Sequence, residues 1–131
     1  LHRLKVTVMP AKILLIETDK ALAENLTRLM ARKGLRVTAV TEVETAGEAL
    51  NHEGYDVVIF EEEVAAEGKG RLFRKVKTRH PQAKVILLAS CRSDRHPCFE
   101  PPFEVFAFLH KPFRWDDLME KIQEASSHSH P

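Results

Sequence analysis

Several things are scarce in this sequence, and each scarcity removes a class of protein. There are two cysteines among 131 residues, Cys91 and Cys98. That is too few for a disulfide framework, so a reducing cytoplasm is the expected compartment. No apolar run approaches the roughly 18 residues of a membrane span, and no signal peptide is recognisable. Charge of one sign is also lacking: 20 basic against 19 acidic side chains leave a formal net charge of +1. A chain this near neutrality makes no whole-domain case for binding nucleic acid or a membrane surface. Glycine is sparse, with five in all, and none forms a phosphate-cradling loop after the first apolar run.

What is present is a repeated alternation of short apolar runs and amphipathic stretches. Ile13-Leu14-Leu15-Ile16 is continuous, the habit of a buried parallel strand, and it closes on Glu17-Thr18-Asp19. Leu22, Leu26, Leu29 and Met30 follow at helical spacing, and Gly34 stands where a left-handed helix cap is wanted. Leu35, Val37 and Ala39 alternate with Arg36, Thr38 and Val40, predicting a half-exposed edge strand. Thr41-Glu42-Val43-Glu44 has capping-box spacing before a helix carrying Val43, Ala46 and Leu50.

Tyr55-Asp56-Val57-Val58-Ile59-Phe60-Glu61 is the central strand, ending on a carboxylate with Glu62 and Glu63 behind it. A loop containing Gly68 and Gly70 leads to a helix with Leu72, Phe73 and Val76 inward, stopped by Pro81. Lys84 to Ala89 is a further buried strand. Pro97, Pro101 and Pro102 prohibit a long regular helix over 91–104. Val105 to Leu109 is the last strand, His110 to Phe113 a loop, and Trp115 to Ala125 the last helix. Residues 1–10 form an extension, in which Leu4 to Val8 alternates like an added edge strand or is upstream sequence before Met9; 126–131 reads as a disordered tail. One α/β domain over 11–125 results. Right-handed crossovers make it three layers, with a five-stranded parallel sheet of order 2-1-3-4-5 and helices on both faces.

That order places a topological switch point between the first and third strands, where ligands of open α/β sheets bind. It gathers Glu17, Thr18, Asp19, Glu61, Glu62 and Glu63, with Lys111 and Pro112 leaving the last strand nearby. These residues resemble the receiver domain of two-component response regulators over roughly 11–125, and Leu109-His110-Lys111-Pro112-Phe113 looks like that family's Lys-Pro-Phe motif. The resemblance implies a flavodoxin-like fold and signalling by contact with a histidine kinase or an output domain. It allows a homodimer, and it makes the domain a non-enzyme. It also implies roles: Glu61 at the phosphoacceptor position, Glu17 and Thr18 at the acidic pair that binds magnesium, Ala89 and Phe108 at the two switch positions.

The chemistry departs from the pattern. Glu61 is one methylene longer than aspartate, which moves its oxygens on the order of 1 Å, and a misplacement of that size costs about 100-fold in rate. Thr18 offers a neutral hydroxyl where magnesium wants a carboxylate, and Ala89 has no donor for a phosphoryl oxygen. Val64-Ala65 replaces the family's Met-Pro, and Lys111 alone is intact. The expectation is an atypical receiver acting by protein–protein contact, with no cofactor or a weak magnesium at Glu17, Asp19 and Glu61. Two readings of the pair Glu61 and Lys111 stand: a permanent, partial imitation of the phosphorylated state, or a partly solvated ion pair of small energetic value. The rivals are a competent receiver phosphorylated on Asp19 or Glu62, and a metal-dependent phosphohydrolase, which lacks a placed general acid.

The remaining signals read blandly. Arg71, Arg74, Lys75, Lys77, Arg79 and His80 form a solvated helix face without the aromatic platforms that nucleic acid requires. Cys91, His96 and Cys98, even with His110 added, fit no zinc spacing. Phe99, Phe103 and Phe106 near the proline-rich segment serve either as a docking patch or as ordinary core.

Overall fold

The computed structural model describes residues 11–52, 54–89, 101 and 103–127. In chain order they form β1 (Lys12–Ile16), α1 (Lys20–Arg32), β2 (Arg36–Val40), α2 (Val43–Ala49), β3 (Val57–Glu61), α3 (Glu62–Arg79), β4 (Lys84–Ala89), β5 (Ala107–His110) and α4 (Trp115–Ser127). The five strands make one parallel sheet of order β2-β1-β3-β4-β5. This is the architecture expected from the sequence. The proline-rich stretch lies almost wholly outside the described residues, as do Cys91, His96, Cys98 and Phe99.

Alternation along the central strands divides the core in two. Leu14, Ile16, Val58, Phe60, Val85 and Leu87 face α2 and α3, meeting Ala46, Leu50, Leu72, Phe73 and Val76. Ile13, Leu15, Val57, Ile59, Ile86 and Leu88 face α1 and α4, meeting Ala23, Leu26, Met30, Leu118, Met119 and Ile122. With both faces covered, β1, β3 and β4 carry continuous apolar runs, whereas the marginal β2 half-buries Val37 and Val40 on opposite faces and, against the expected alternation, leaves Ala39 exposed with Arg36 and Thr38. Asp56 stitches the entry side of the sheet. Its carboxylate accepts from Lys12 N–H at 2.8 Å, and its carbonyl accepts from Lys84 N–H at 3.0 Å.

Local chemistry explains the helix boundaries. Asp19 caps α1, its Oδ1 accepting from Leu22 N–H at 3.1 Å. At the far end Gly34 adopts φ +84°, while Leu35 N–H reaches Met30 O and Gly34 N–H reaches Ala31 O, a full Schellman closure. The capping box foreseen at Thr41 does not form. Glu42 is the N-cap of α2 and makes no side-chain cap bond; instead Thr45 Oγ1 donates back to the Glu42 carbonyl.

Other boundaries shift. α3 starts directly at Glu62, so the foreseen loop shrinks to a break at Glu67–Gly70, where Gly68, Lys69 and Gly70 all take positive φ. The Arg74 guanidinium donates to the Lys69 carbonyl across this break. The last strand is Ala107–His110 rather than Val105 to Leu109, because Phe106 N–H already bonds Val85 O and the ladder runs on to Lys111 N–H. The last helix extends through Ser127, taking in two residues assigned to the tail. His80 is buried rather than solvated. Its Nε2 lies 2.9 Å from Leu50 O, and its ring meets Tyr55 edge-on at 5.2 Å.

Each core layer rests on strand side chains with no solvent exposure, Phe60 among them on the α2–α3 side. Phe60→Ala is expected to cost roughly 3–5 kcal/mol in urea unfolding, since Phe60 is fully buried and packs toward Phe73 at a ring separation of 6.4 Å. A loss below about 1 kcal/mol in that measurement contradicts the assignment of Phe60 to the core.

Candidate functional site

The parallel register brings the carboxyl ends of β1, β3 and β4 together, and each ends near a residue singled out from the sequence. Glu17 directly follows β1, its N–H bonding Val40 O at 3.1 Å, which turns its side chain into the protein; Glu17 is wholly buried. Glu61 ends β3 and is 5% exposed. Lys111 follows β5, held there by its N–H on Ala89 O at 2.8 Å, and its peptide bond to Pro112 is cis.

The three charged groups meet: the foreseen pair of Glu61 and Lys111 is present, and Glu17 joins it as the lysine's nearer partner. Lys111 Nζ lies 2.8 Å from Glu17 Oε1 and 3.8 Å from Glu61 Oε2. The closer contact joins the lysine to the fully buried acid. Glu61 is held mainly by Thr18: Oε1 accepts from Thr18 Oγ1 at 2.6 Å and from Thr18 N–H at 3.0 Å. Glu17 Oε2 accepts from Asp19 N–H at 2.9 Å. The loop after β1 is therefore tied to both carboxylates, and the lysine bridges them.

Glu17 is the electrostatic weak point. Burial pushes its carboxyl above the ordinary value of 4.5, and nearby Glu61 pushes the same way; the Lys111 nitrogen and the Asp19 N–H oppose them.

The other predicted positions lie around this centre. Asp19 is exposed and committed to the α1 cap. Ala89 ends β4, 4% exposed, paired with His110. Phe108 pairs in register with Leu87 and is 44% exposed, so it does not enter the carboxylate cluster. Glu62 opens α3 and is buried.

A divalent cation needs several free oxygens in near-octahedral order. As arranged, Glu17 faces Lys111 and the Asp19 N–H, Glu61 Oε1 faces Thr18, and Asp19 Oδ1 faces Leu22 N–H. No group of three His, Cys, Asp or Glu among the described residues is placed to hold a metal. The donor set as folded does not fit magnesium.

Sequence reasoning missed two features. Thr18 read as a loss of charge, whereas its adjacent N–H and hydroxyl make a two-donor clamp; an Asx/ST-type donor pair opposite a lengthened acid was the available signal. The lysine's closer partner is Glu17, whose burial follows from the Ile13–Ile16 strand leading straight into it.

With this geometry in view, comparison with known proteins agrees with the fold. The family model for the response regulator receiver domain matches residues 13–123, and the chain belongs to that family. Receiver domains are generally non-enzymatic signalling domains of two-component systems. The response regulator protein FleR of Pseudomonas aeruginosa is 32% identical over 82 residues, which is 63% of this chain. The chain spans only 17% of that relative's length. A CheY-like receiver domain protein from Methanospirillum hungatei superposes with a TM-score of 0.80 at 20% identity, covering 92% of this chain and 96% of that one. The response regulator TrrA from Thermotoga maritima, in complex with Mg(2+)-BeF, gives 0.70 at 22% identity, covering 88% and 98% respectively. No helix among the described residues is long and apolar enough to cross a membrane.

Two measurements check the electrostatics. Lys111→Met leaves the buried Glu17 without its cation and is expected to cost about 3 kcal/mol at neutral pH, with the loss shrinking on acidification. Because the folded Glu17 carboxyl sits above 4.5, its linkage favours the folded state most below that value. That contribution is lost as pH rises through the raised folded value. Urea titrations should therefore show wild-type stability falling relative to Glu17→Gln across that window, with a slope no steeper than about 1.4 kcal/mol per pH unit.

Proposed function

We propose that this chain is an atypical receiver that signals by protein–protein contact and is not phosphorylated at Glu61. The observation that carries this reading is the closure of the site on itself. The acid at the phosphoacceptor position spends one oxygen on two donors from Thr18, and the phosphate-reading lysine sits 2.8 Å from a buried glutamate. Ala89 supplies no donor, and a magnesium ion would have to displace Lys111 and Thr18 from the carboxylates it needs. Phosphoryl transfer rests on positioning and charge neutralisation, and both are compromised here.

Of the two roles for Glu61, the geometry favours the structural one. At 3.8 Å from Lys111 its charge contact is loose, while the bond to Thr18 is short. Glu61 fastens the loop after β1 to the end of β3 and holds the domain in one arrangement. Its partners are then signalling proteins in the cytoplasm, a histidine kinase or an output domain, recognised by shape and surface charge. The chain performs no catalysis of its own.

Incubation with magnesium and acetyl phosphate, read by intact mass, tests this. Wild type is expected to gain no phosphoryl group, whereas the combined variant Thr18→Asp, Glu61→Asp, Ala89→Thr is expected to gain one. Magnesium titration followed through Trp115 fluorescence should be flat for wild type below millimolar concentrations. Labelling of wild type to the same extent as the combined variant overturns the proposal.

A further inference from the structure

β2 is the margin of the sheet. Arg36 N–H bonds Ala11 O, and Val40 O accepts from Glu17 N–H, so the backbone groups of Arg36, Thr38 and Val40 turn toward β1. In a strand the intervening residues turn the other way. The N–H and C=O of Val37 and Ala39 therefore point outward along the sheet. Beside this margin lies a groove of about 400 Å³, lined by Ala23, Glu24, Thr27 and Arg28 of α1 and by Ala39 and Thr41. Its floor is made of small side chains, and its rim carries one acid and one base a helical turn apart.

We propose that this margin joins a second copy of the same chain, strand β2 pairing antiparallel with its counterpart about a two-fold axis at Thr38. Three features select a copy of the chain as occupant. First, the register closes on itself. With the axis at Thr38, Val37 faces Ala39 of the copy and Ala39 faces Val37, and both are outward-turned residues, so each pair exchanges two hydrogen bonds. Second, the one charge on the strand, Arg36, falls opposite the apolar Val40, so no like charges meet. Third, the rim is self-complementary. α1 runs antiparallel to its symmetry mate on the same face of the sheet, which sets Glu24 against Arg28 of the copy and Arg28 against Glu24, as an isologous contact demands. Glu24 and Arg28 are both exposed, and among the described residues Arg28 bonds Asn25 of its own helix at 3.1 Å. The result is a continuous ten-stranded sheet built by strand addition. Its location is remote from the carboxylate cluster's lysine end, at the opposite margin from β5, so it leaves β5 and α4 of each copy accessible.

Sedimentation equilibrium of the full chain, with charge-swapped variants, tests this. Wild type is expected to show a concentration-dependent dimer. Glu24→Arg places like charges in both rim contacts and is expected to weaken association roughly tenfold or more. Adding Arg28→Glu to it restores the complementary pairs and should recover the wild-type mass. Ala39→Pro removes an outward N–H that the β1 ladder does not use, and should yield a folded monomer, as checked by circular dichroism. If that variant fails to fold, the charge swap and its rescue decide alone. A wild type that stays monomeric at every concentration overturns the proposal. So does a dimer indifferent to both charge swaps, which would lie on another face, and so does a monomer whose Val37 and Ala39 amides resist hydrogen exchange, which would mean that the chain's own residues 1–10 cover the margin.

Discussion

The rest of the site depends on one constraint: two carboxylates at the carboxyl ends of neighbouring strands must be neutralised without free solvent. Glu17 is wholly buried and Glu61 nearly so. An uncompensated buried charge costs several kcal/mol, and donors from the loops after β1 and β5 converge on the pair. Lys111 comes from the end of β5, Thr18 brings two donors from the loop after β1, and Asp19 contributes its N–H before capping α1. The loop conformation, the helix start and the lysine's position are thus one solution to a single electrostatic problem. The cation that answers it comes from one loop and the hydrogen-bond donors from another.

Most of the fold was readable in the residues because its signals are redundant. The apolar runs of β1, β3 and β4, the helical stripe of α1 and Gly34 at its end each point to the same doubly covered sheet. Where the reading slipped, a single local signal competed with the backbone ladder. Thr41-Glu42-Val43-Glu44 offered a capping box, but the chain leaves β2 through Thr41 and the helix begins one residue later than that box requires. Val105 looked like a strand residue, yet the hydrogen-bonded register with β4 starts at Phe106 and runs past Leu109. His80 continued a basic run in sequence, but the helix ends there, and its ring drops between Leu50 and Tyr55.

The site was legible in its cast and not in its pairings. Position along the chain pointed to Glu17, Thr18, Glu61 and Lys111, since each lies at or just past the carboxyl end of a strand. Which of them touch is a matter of side-chain reach across strands about 5 Å apart, and sequence carries no measure of that. The reach of the longer acid indicates the pair of Lys111 and Glu61, which forms at 3.8 Å, but not that the buried Glu17 draws the lysine closer, to 2.8 Å. Glu61, relieved of the lysine's full attention, turns one oxygen to Thr18.

The break within α3 has a mechanical consequence. An unbroken helix is a stiff rod, and a push at one end appears at the other. Here Glu67–Gly70 leave helical geometry between the turn that starts at Glu62 and the segment bearing Leu72, Phe73 and Val76. The first turn adjoins the carboxylate cluster, whereas the second segment is anchored in the core, where the Phe73 ring stacks on Phe103 at 6.0 Å. The joint lets the first turn and the second segment run as separate pieces within one helix. The route from Glu61 to the aromatic stack is thus the short one through the sheet, by way of Phe60 next to it in β3 and the Phe73 ring 6.4 Å away, and not the length of α3.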